Sequence, residues 1–91
     1  KPLGKYGRMR RAFLQENNPM LLNDLILSEQ LFPHLQEIDE TAHRRVEQLM
    51  TELLEKNPAP DKATQQMAWV KHMNSLKAQA EEIVTAELIN S

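Results

Sequence analysis

Apolar residues recur at helical spacing along most of the chain, and residues 65–89 form the clearest stretch. Their spacing, mostly in steps of three and four, places the apolar side chains on one stripe of an α-helix. The members of this stripe are Trp69, Met73, Leu76, Ala80, Ile83 and Val84. No Gly or Pro interrupts the run, and its Ala, Leu, Glu, Lys and Gln residues favour a helix. The pattern predicts a long helix that packs its stripe, Trp69 included, on another part of the chain.

A second long helix is predicted from residue 33 to about residue 56, because its apolar residues also advance by three or four positions. They are Leu35, Ile38, Ala42, Val46, Leu49 and Leu53. The two helices are separated at residues 57–61, Asn-Pro-Ala-Pro-Asp, where two prolines exclude a helix. Asp61 or Thr64 can cap the helix that follows. A connector this short predicts that the two long helices pack antiparallel.

Two shorter helices are predicted before this hairpin, after an extended lead-in at residues 1–5. The first covers residues 6–16. The second covers residues 19–28 and begins at an Asn-Asn-Pro sequence, in which Asn can cap the helix and Pro suits its first turn. Its core residues are expected to be Leu21, Leu22, Leu25 and Ile26. The sequence therefore predicts a single all-α domain, residues 1–91, in which two short helices pack on a long antiparallel hairpin.

The composition excludes several classes of protein. The 91 residues contain no cysteine, which excludes disulfide bonds and thiolate metal sites and fits a reducing, cytoplasmic location. No apolar run approaches the roughly 20 residues of a membrane-spanning helix, and no segment resembles a secretory signal. The first residue is Lys rather than Met, so we expect the chain to be a fragment or a processed product.

Catalytic and metal-binding patterns are weak. Asp39 and His43 are four residues apart and could share an ion, but two ligands do not make a site, and His34 and His72 are separate in the sequence. There is no Gly-x-Ser-x-Gly turn and no Gly-rich phosphate loop, since both glycines occur in the first seven residues. We therefore predict a protein that is not an enzyme and has no metal, cofactor or small-molecule substrate.

One carboxylate, Asp39, lies on the apolar side of the second long helix. It needs a partner, because burying an unpaired charge costs several kcal/mol. If the hairpin folds at the connector, Lys77 comes within about one helical turn of Asp39. Arg10 and Arg11 of the first short helix are the alternatives. We expect a structural ion pair here rather than a catalytic acid.

The net charge of −2 hides an uneven distribution, because the first eleven residues carry only cations and the middle of the chain is acidic. A short basic helix after a flexible segment suits a phosphate backbone, and Tyr6 could stack on a base. The candidate nucleic-acid contacts are Lys5, Arg8, Arg10, Arg11, Arg44 and Arg45. The alternative is a solvated face or pairing with acidic residues, because a dedicated DNA-binding protein is usually basic overall. A helix-turn-helix is disfavoured, since Glu37, Asp39 and Glu40 would begin its reading helix.

Apolar residues outside the stripes favour a protein partner or a homodimer. Met67 and Ile89 point away from the main stripe of the last helix, and Met50 and Leu54 widen the stripe of the helix before it. Small helical domains often cover such residues by dimerising. Contact with one of the short helices is the alternative, and the pattern does not decide between them.

Three segments together resemble the TnpV family of transposon-encoded proteins. They are Gly-Lys-Tyr-Gly-Arg-Met-Arg-Arg at residues 4–11, Leu-Phe-Pro-His-Leu-Gln-Glu-Ile-Asp at residues 31–39, and Met-Ala-Trp-Val at residues 67–70 with Met73-Asn74 and Ala80-Glu81-Glu82-Ile83. Two positions depart from the family pattern. Glu29 stands where members usually carry Gly, and Asn90 stands where an aromatic residue is common. The first departure should strain or reshape the end of the second helix.

The resemblance implies a context, namely residence on mobile elements of Gram-positive gut bacteria, and members usually carry a further N-terminal segment. We expect a non-catalytic accessory protein in transposition or in regulation of the element. It would act through protein contacts, with DNA contacts as a further option. The alternative is a direct DNA-binding regulator that uses the basic N-terminal helix.

Overall fold

The computed structural model describes residues 2–91, which form four α-helices and a π-helical turn. The elements are α1 (Lys5–Asn17), α2 (Pro19–Leu27), α3 (Leu31–Lys56), α4 (Gln66–Val84) and the π-helical turn (Thr85–Ile89). No strand occurs within residues 2–91. The predicted all-α fold with four helices is therefore confirmed.

The long helices α3 and α4 form the hairpin, and the other elements cover one half of it. α1 packs against α3 and the π-helical turn, whereas α2 packs mainly against α1. We call this half the α1 end. The other half, residues 51–73, is called the connector end, and there α3, α4 and their connector pack only on one another. The molecule is correspondingly elongated, with dimensions of 55 × 25 × 19 Å.

The ends of the first three helices follow most of the predicted signals. Asn18 caps α2, because its Oδ1 accepts a hydrogen bond at 3.2 Å from the N–H three residues later, and Pro19 is the first helical residue. α1 begins at Lys5, so the extended lead-in is seen at residues 2–4, and Lys1 lies outside the described residues. α3 begins two residues earlier than predicted. The boundaries from sequence are thus accurate to about one helical turn.

The connector differs from the prediction in its length and in the cap that follows it. It spans residues 57–65, beyond the predicted end at residue 61, and α4 begins at Gln66. Asp61 accepts a hydrogen bond from the Ala63 N–H at 2.9 Å within the connector. The residue before α4 makes no side-chain cap. The predicted cap of α4 by Asp61 or Thr64 is therefore wrong, because Asp61 stabilises the preceding turn instead.

The core lies between α1, α3 and the C-terminal half of α4. Its buried apolar residues are Tyr6, Leu14, Leu35, Ala42, Val46, Leu49, Leu76, Ala80, Val84 and Ile89. Trp69 departs from the predicted stripe, because its side chain is only half-buried and Lys62 Nζ lies 4.5 Å from the centre of its ring. The prediction that Trp69 belongs to the core is wrong. Within residues 2–91, no third element covers the connector end at that position.

The π-helical turn brings Ile89 into the core, contrary to the expectation that it points away. The Asn90 N–H donates to the Thr85 carbonyl oxygen at 2.9 Å, an i→i+5 bond that places one more residue in the turn than an α-helix has. On a continued α-helix, a residue five positions after Val84 would face away from it. The wider turn returns Ile89 to the side of Val84, and Ile89 is only 1% exposed.

The second helix, α2, buries none of its residues fully. The leucines Leu21, Leu22 and Leu25 are half-buried, and Ile26 is about half-exposed. The predicted burial is therefore wrong for Ile26 and incomplete for the leucines. The reason is that α2 contacts α1 along one side and has little contact with α3.

The chain turns from α2 to α3 through Glu29, which has a φ of 60°. The Gln30 N–H donates to the Leu25 carbonyl oxygen at 2.9 Å, and the Glu29 N–H donates to the Ile26 carbonyl oxygen at 3.1 Å. This pair of bonds is a Schellman motif, whose left-handed residue favours Gly. The expected strain at Glu29 therefore has a definite location, the left-handed backbone of the residue itself.

Candidate functional site

The carboxylate of Asp39 on α3 supports the first turn of α1. Its Oδ1 accepts a hydrogen bond from the Gly7 N–H at 3.0 Å, and its Oδ2 lies 3.6 Å from His43 Nε2. Amides at a helix start have no partner within the helix, and the positive end of the helix dipole favours a carboxylate there. Asp39 is buried as expected. The predicted ion pair with Lys77 or with an arginine of α1 is wrong, because a backbone N–H is the main partner.

Both glycines of the chain are needed for this contact. A Cβ atom at Gly4 would collide with the Asp39 carboxylate. A Cβ atom at Gly7 would lie 3.0 Å from the Leu35 carbonyl oxygen and 2.8 Å from Leu3 Cγ. Close packing leaves no room for such a group without displacing the backbone of α1 from α3. The basic N-terminal segment therefore has a packing role, in which its glycines let two backbones approach closely.

A second polar contact joins the start of α1 to α4. The Tyr6 hydroxyl donates to Glu81 Oε2 at 2.8 Å, and Lys5 Nζ donates to the same oxygen at 2.7 Å. Burial and then the hydrogen bond to Glu81 raise the pKa of Tyr6 to about 12. The hydrogen bonds from Lys5 and Tyr6 lower the pKa of Glu81. Lys5, a candidate DNA contact, is thus paired with an acid of its own chain.

The guanidinium of Arg10 holds the end of the π-helical turn. Arg10 is only 8% exposed, and its Nη1 donates to the carbonyl oxygens of Ile89 at 2.8 Å and Ser91 at 2.9 Å. Its Nε donates to His34 Nε2 at 3.3 Å. Burial and then the Arg10 charge lower the pKa of His34, which keeps the imidazole neutral as an acceptor for this bond. Arg10 therefore directs these donors at its own chain rather than at a phosphate.

The two arginines of α3 lie among carboxylates. Arg45 forms an ion pair with Glu87 of the π-helical turn, with Nε 3.2 Å from Oε1. The hydrogen bond to Glu87 raises the pKa of Arg45. Arg44 is exposed, and Glu40 and Glu47 lie four residues before and three residues after it, on the same side of α3. The carboxylates lower the electrostatic potential around both arginines, which disfavours a phosphate there.

Arg8 and Arg11 are exposed on α1, as is Lys5, which pairs with Glu81. Arg8 and Arg11 are three residues apart on the outward side of α1, and Arg8 Nη1 donates to the Leu3 carbonyl oxygen at 2.6 Å. Binding of nucleic acid by any of the six candidate residues stays a prediction.

Large exposed apolar side chains are concentrated on α2 and at the start of α3. Met20 is 78% exposed and Leu27 is 82% exposed, while Ile26 and Phe32 are about half-exposed. We call these four residues the α2 surface. Sequence reasoning missed it, because it assigned the apolar residues of α2 to the core. The available signal was that α2 has only two polar residues, Asn23 and Asp24, so its apolar residues extend beyond the side that faces α1. Met67 at the connector end is 70% exposed, as its position outside the stripe predicted.

Two open grooves on the surface each have a volume of about 380 Å³. The groove between α1 and the π-helical turn is lined by Phe13, Glu16 and Thr85 among others. Within residues 2–91, no three His, Asp or Glu side chains are arranged to hold a metal ion. Each helix within residues 2–91 is too short or too polar to span a bilayer.

Comparison with known proteins shows a family to which the chain is similar. The family model described as "Transposon-encoded protein TnpV" matches residues 1–89. No curated protein and no solved structure matches the chain.

Proposed function

The chain belongs to the TnpV family of transposon-encoded proteins, and from this premise we propose that it is a non-catalytic accessory protein of a transposon or conjugative element. It acts in the bacterial cytoplasm by binding other proteins. The single observation that carries this proposal is the α2 surface, because Met20 and Leu27 are 78% and 82% exposed.

The energetics of apolar burial support a protein partner at this surface. Full burial of one large aliphatic side chain contributes about 1.5–3 kcal/mol, so Met20 and Leu27 together offer roughly 3–6 kcal/mol before the costs of association. Soluble monomers rarely leave apolar patches larger than a few hundred Å² in water. An interface on α2 would remove this apolar area from water. It would also stabilise α2, which the rest of its own chain covers on one side only.

The second candidate function is direct DNA binding by α1. It is supported by the outward side of α1, where Arg8 and Arg11 are exposed and three residues apart. Against it, Lys5, Arg10 and Arg45 already bond to groups of the same chain. Two outward cations would give a weak, salt-sensitive contact, because the affinity for a phosphate backbone grows with the number of phosphates neutralised.

Excision of the element in its host tests the two candidates against each other. Two variants replace the wild-type protein. Leu27→Glu places a charge in the α2 surface. The double variant, Arg8→Gln with Arg11→Gln, removes the outward cations. Excision frequency is measured by junction-specific amplification, and the abundance of each variant is checked by immunoblotting. We expect Leu27→Glu to change excision about tenfold or more, as an interface charge does, and the double variant to change it little.

Two results would overturn the proposal. If deletion of the whole gene leaves excision and transfer of the element unchanged, the accessory role fails. If the double arginine variant abolishes both excision and retention on immobilised duplex DNA while Leu27→Glu has no effect, the DNA-binding alternative replaces it.

A further inference from the structure

We propose that the contact between His34 and Arg10 makes the attachment of the π-helical turn to α1 sensitive to acid. Neutral His34 accepts a hydrogen bond from Arg10, whereas protonated His34 repels the same guanidinium, which is the group that holds the turn. The turn therefore separates from α1 more readily at acid pH. Its separation exposes Ile89, which is only 1% exposed in the folded chain. This property does not depend on the α2 surface or on the proposed function.

Arg10 joins α1 to the end of the chain through two bonds from one nitrogen. Its Nη1 donates to the carbonyl oxygens of Ile89 at 2.8 Å and Ser91 at 2.9 Å, and the bond to Ile89 is buried. Moving the guanidinium away would leave the Ile89 carbonyl without this donor, and a buried polar group without a partner costs free energy. A change that displaces Arg10 therefore also loosens the turn.

The imidazole of His34 lies where its protonation produces such a change. Arg10 Nε lies 3.3 Å from His34 Nε2, and a guanidinium can only donate, so Nε2 is the acceptor and carries no hydrogen. In the imidazolium both ring nitrogens carry a hydrogen. Protonation of Nε2 thus places two N–H groups and two positive charges against each other. His34 is half-buried, so water screens this repulsion less than it would on an open surface.

The charges around His34 determine the direction of the effect. Burial and then Arg10 lower the pKa of His34 from 6.5, and Glu37, three residues later on α3, opposes this in part. Asp24 of α2 is exposed, and Glu87 of the π-helical turn is paired with an arginine of α3. Because the folded pKa lies below the unfolded pKa, the stability from the neutral ring is fully present above pH 6.5. It is lost as the pH falls through the folded pKa.

The other two histidines of the chain are placed differently. His43 Nε2 lies 3.6 Å from the Asp39 carboxylate, so a proton on His43 adds an attraction. His72 Nε2 lies 2.6 Å from the Asn57 carbonyl oxygen, and a protonated ring can still donate to that oxygen. His34 is therefore the histidine whose protonation conflicts with its own contact.

Hydrogen exchange of the Asn90 amide, followed by NMR between about pH 7.5 and pH 5, tests the proposal. This amide closes the π-helical turn by donating to the Thr85 carbonyl oxygen. Hydrogen bonds from Lys5 and Tyr6 lower the pKa of Glu81 from 4.5, so that contact of α1 stays ionised over the whole range. After correction for the intrinsic exchange rate, the opening constant should rise with acid. The limit is about tenfold for each pH unit below 6.5, and we expect about threefold or more in total.

Two substitutions and one internal control assign this rise to His34. His34→Gln supplies an acceptor that stays neutral at every pH of the range, so it should remove most of the rise. His72→Gln, at the connector end, should keep it. Amides of α4 around Trp69 serve as the internal control, because their local opening does not separate His34 from Arg10. Circular dichroism shows whether each variant keeps its helix content.

The NMR titration of the His34 ring in the wild type gives a second test that needs no variant. We expect its pKa below 6.5, the ordinary value. A ring that titrates at or above this value overturns the proposal. So does a wild-type opening constant at Asn90 that does not change with pH, or a rise that His34→Gln leaves intact. None of these results bears on the α2 surface, whose role is tested separately by the excision frequency of Leu27→Glu.

Discussion

The α1 end and the connector end are built on the same two long helices, yet they bury their side chains by different means. At the α1 end, α1 and the π-helical turn add a third side to the core. There Tyr6, Arg10 and Asp39 are buried and bonded to other elements. At the connector end, Leu53 and Trp69 stay half-buried, and the polar contacts stay within the hairpin.

This difference shows that the same type of residue makes different contacts where a third element covers the hairpin and where none does. A carboxylate in the α1 end orders two helices, whereas a carboxylate in the connector end orders one turn. The basic segment at the start of the chain, which resembles a DNA-binding arm in composition, is the element that closes the core. Its cations are consequently divided, because Lys5 and Arg10 bond to other elements of the fold, whereas Arg8 and Arg11 are exposed.

Replacement of Asp39 by Ala gives the largest expected loss of stability and directly compares the two ends. It leaves the Gly7 N–H without its partner in a buried site, so we expect the free energy of unfolding to fall by about 2–4 kcal/mol. The matched variant is Asp61→Ala, whose carboxylate accepts one backbone N–H in exposed surroundings, with an expected loss of about 0.5–1 kcal/mol. Urea denaturation measures both. Equal losses of stability in the two variants would contradict the difference between the α1 end and the connector end.

Replacement of Arg10 by Met is expected to cost about 2–3 kcal/mol, because it leaves two backbone carbonyls without a buried donor. The matched variant, Arg45→Met, removes a partly exposed ion pair with Glu87 and should cost much less, because exposed ion pairs contribute little to stability. Thermal unfolding at neutral pH compares them. A larger loss for Arg45→Met would show that the surface pair, rather than Arg10, holds the π-helical turn.

Alkaline pH should weaken the α1 end through Tyr6. The folded pKa is raised from 10.0 to about 12, so the unfolded chain loses this proton first. The stability from the neutral hydroxyl is present below pH 10 and is lost as pH rises towards 12, by about 1–3 kcal/mol. Unfolding of the wild type and of Tyr6→Phe is compared between pH 8 and pH 11.5. Tyr6→Phe should show a smaller alkaline loss, and parallel curves would refute the assignment to Tyr6.

Replacement of Glu29 by Gly gives the smallest expected effect and is the one expected gain. The left-handed backbone at Glu29 costs about 1–2 kcal/mol for a residue with a Cβ, and the freedom of Gly in the unfolded chain offsets part of this. We expect a net gain of about 0.5–1 kcal/mol, measured by urea denaturation. The control is Ser28→Gly, whose φ of −86° needs no glycine and should give a loss.

Much of the α1 end could be predicted from helical periodicity, and its polar contacts could not. The spacing of Leu35, Ala42 and Val46 defines the buried side of α3, because an α-helix repeats nearly every seven residues. The partner of Asp39 is a backbone N–H, and the residue types in the sequence do not predict a backbone partner. The available clue was Gly4 and Gly7 in the basic N-terminal segment, which indicates a close approach of two backbones.

The errors at the other positions have two physical causes. The direction of Ile89 was predicted wrongly, because one i→i+5 turn changes the direction of every later side chain. Helix propensity does not predict such a turn. Trp69 was misplaced because periodicity tells which side of a helix is apolar but not how far a covering element extends along it. The α2 surface was missed for the same reason, since an apolar side was assumed to be a buried side.

Hydrogen exchange of backbone amides, followed by mass spectrometry under native conditions, tests the contrast between the two ends most directly. If buried polar groups and a third packing element fix the α1 end, amides of α1 and of α3 around Asp39 should exchange only by global unfolding. Amides of α4 around Trp69 should open at a free energy lower by about 1–3 kcal/mol. Exchange of α1 before the connector end, or uniform exchange along the hairpin, would contradict the account.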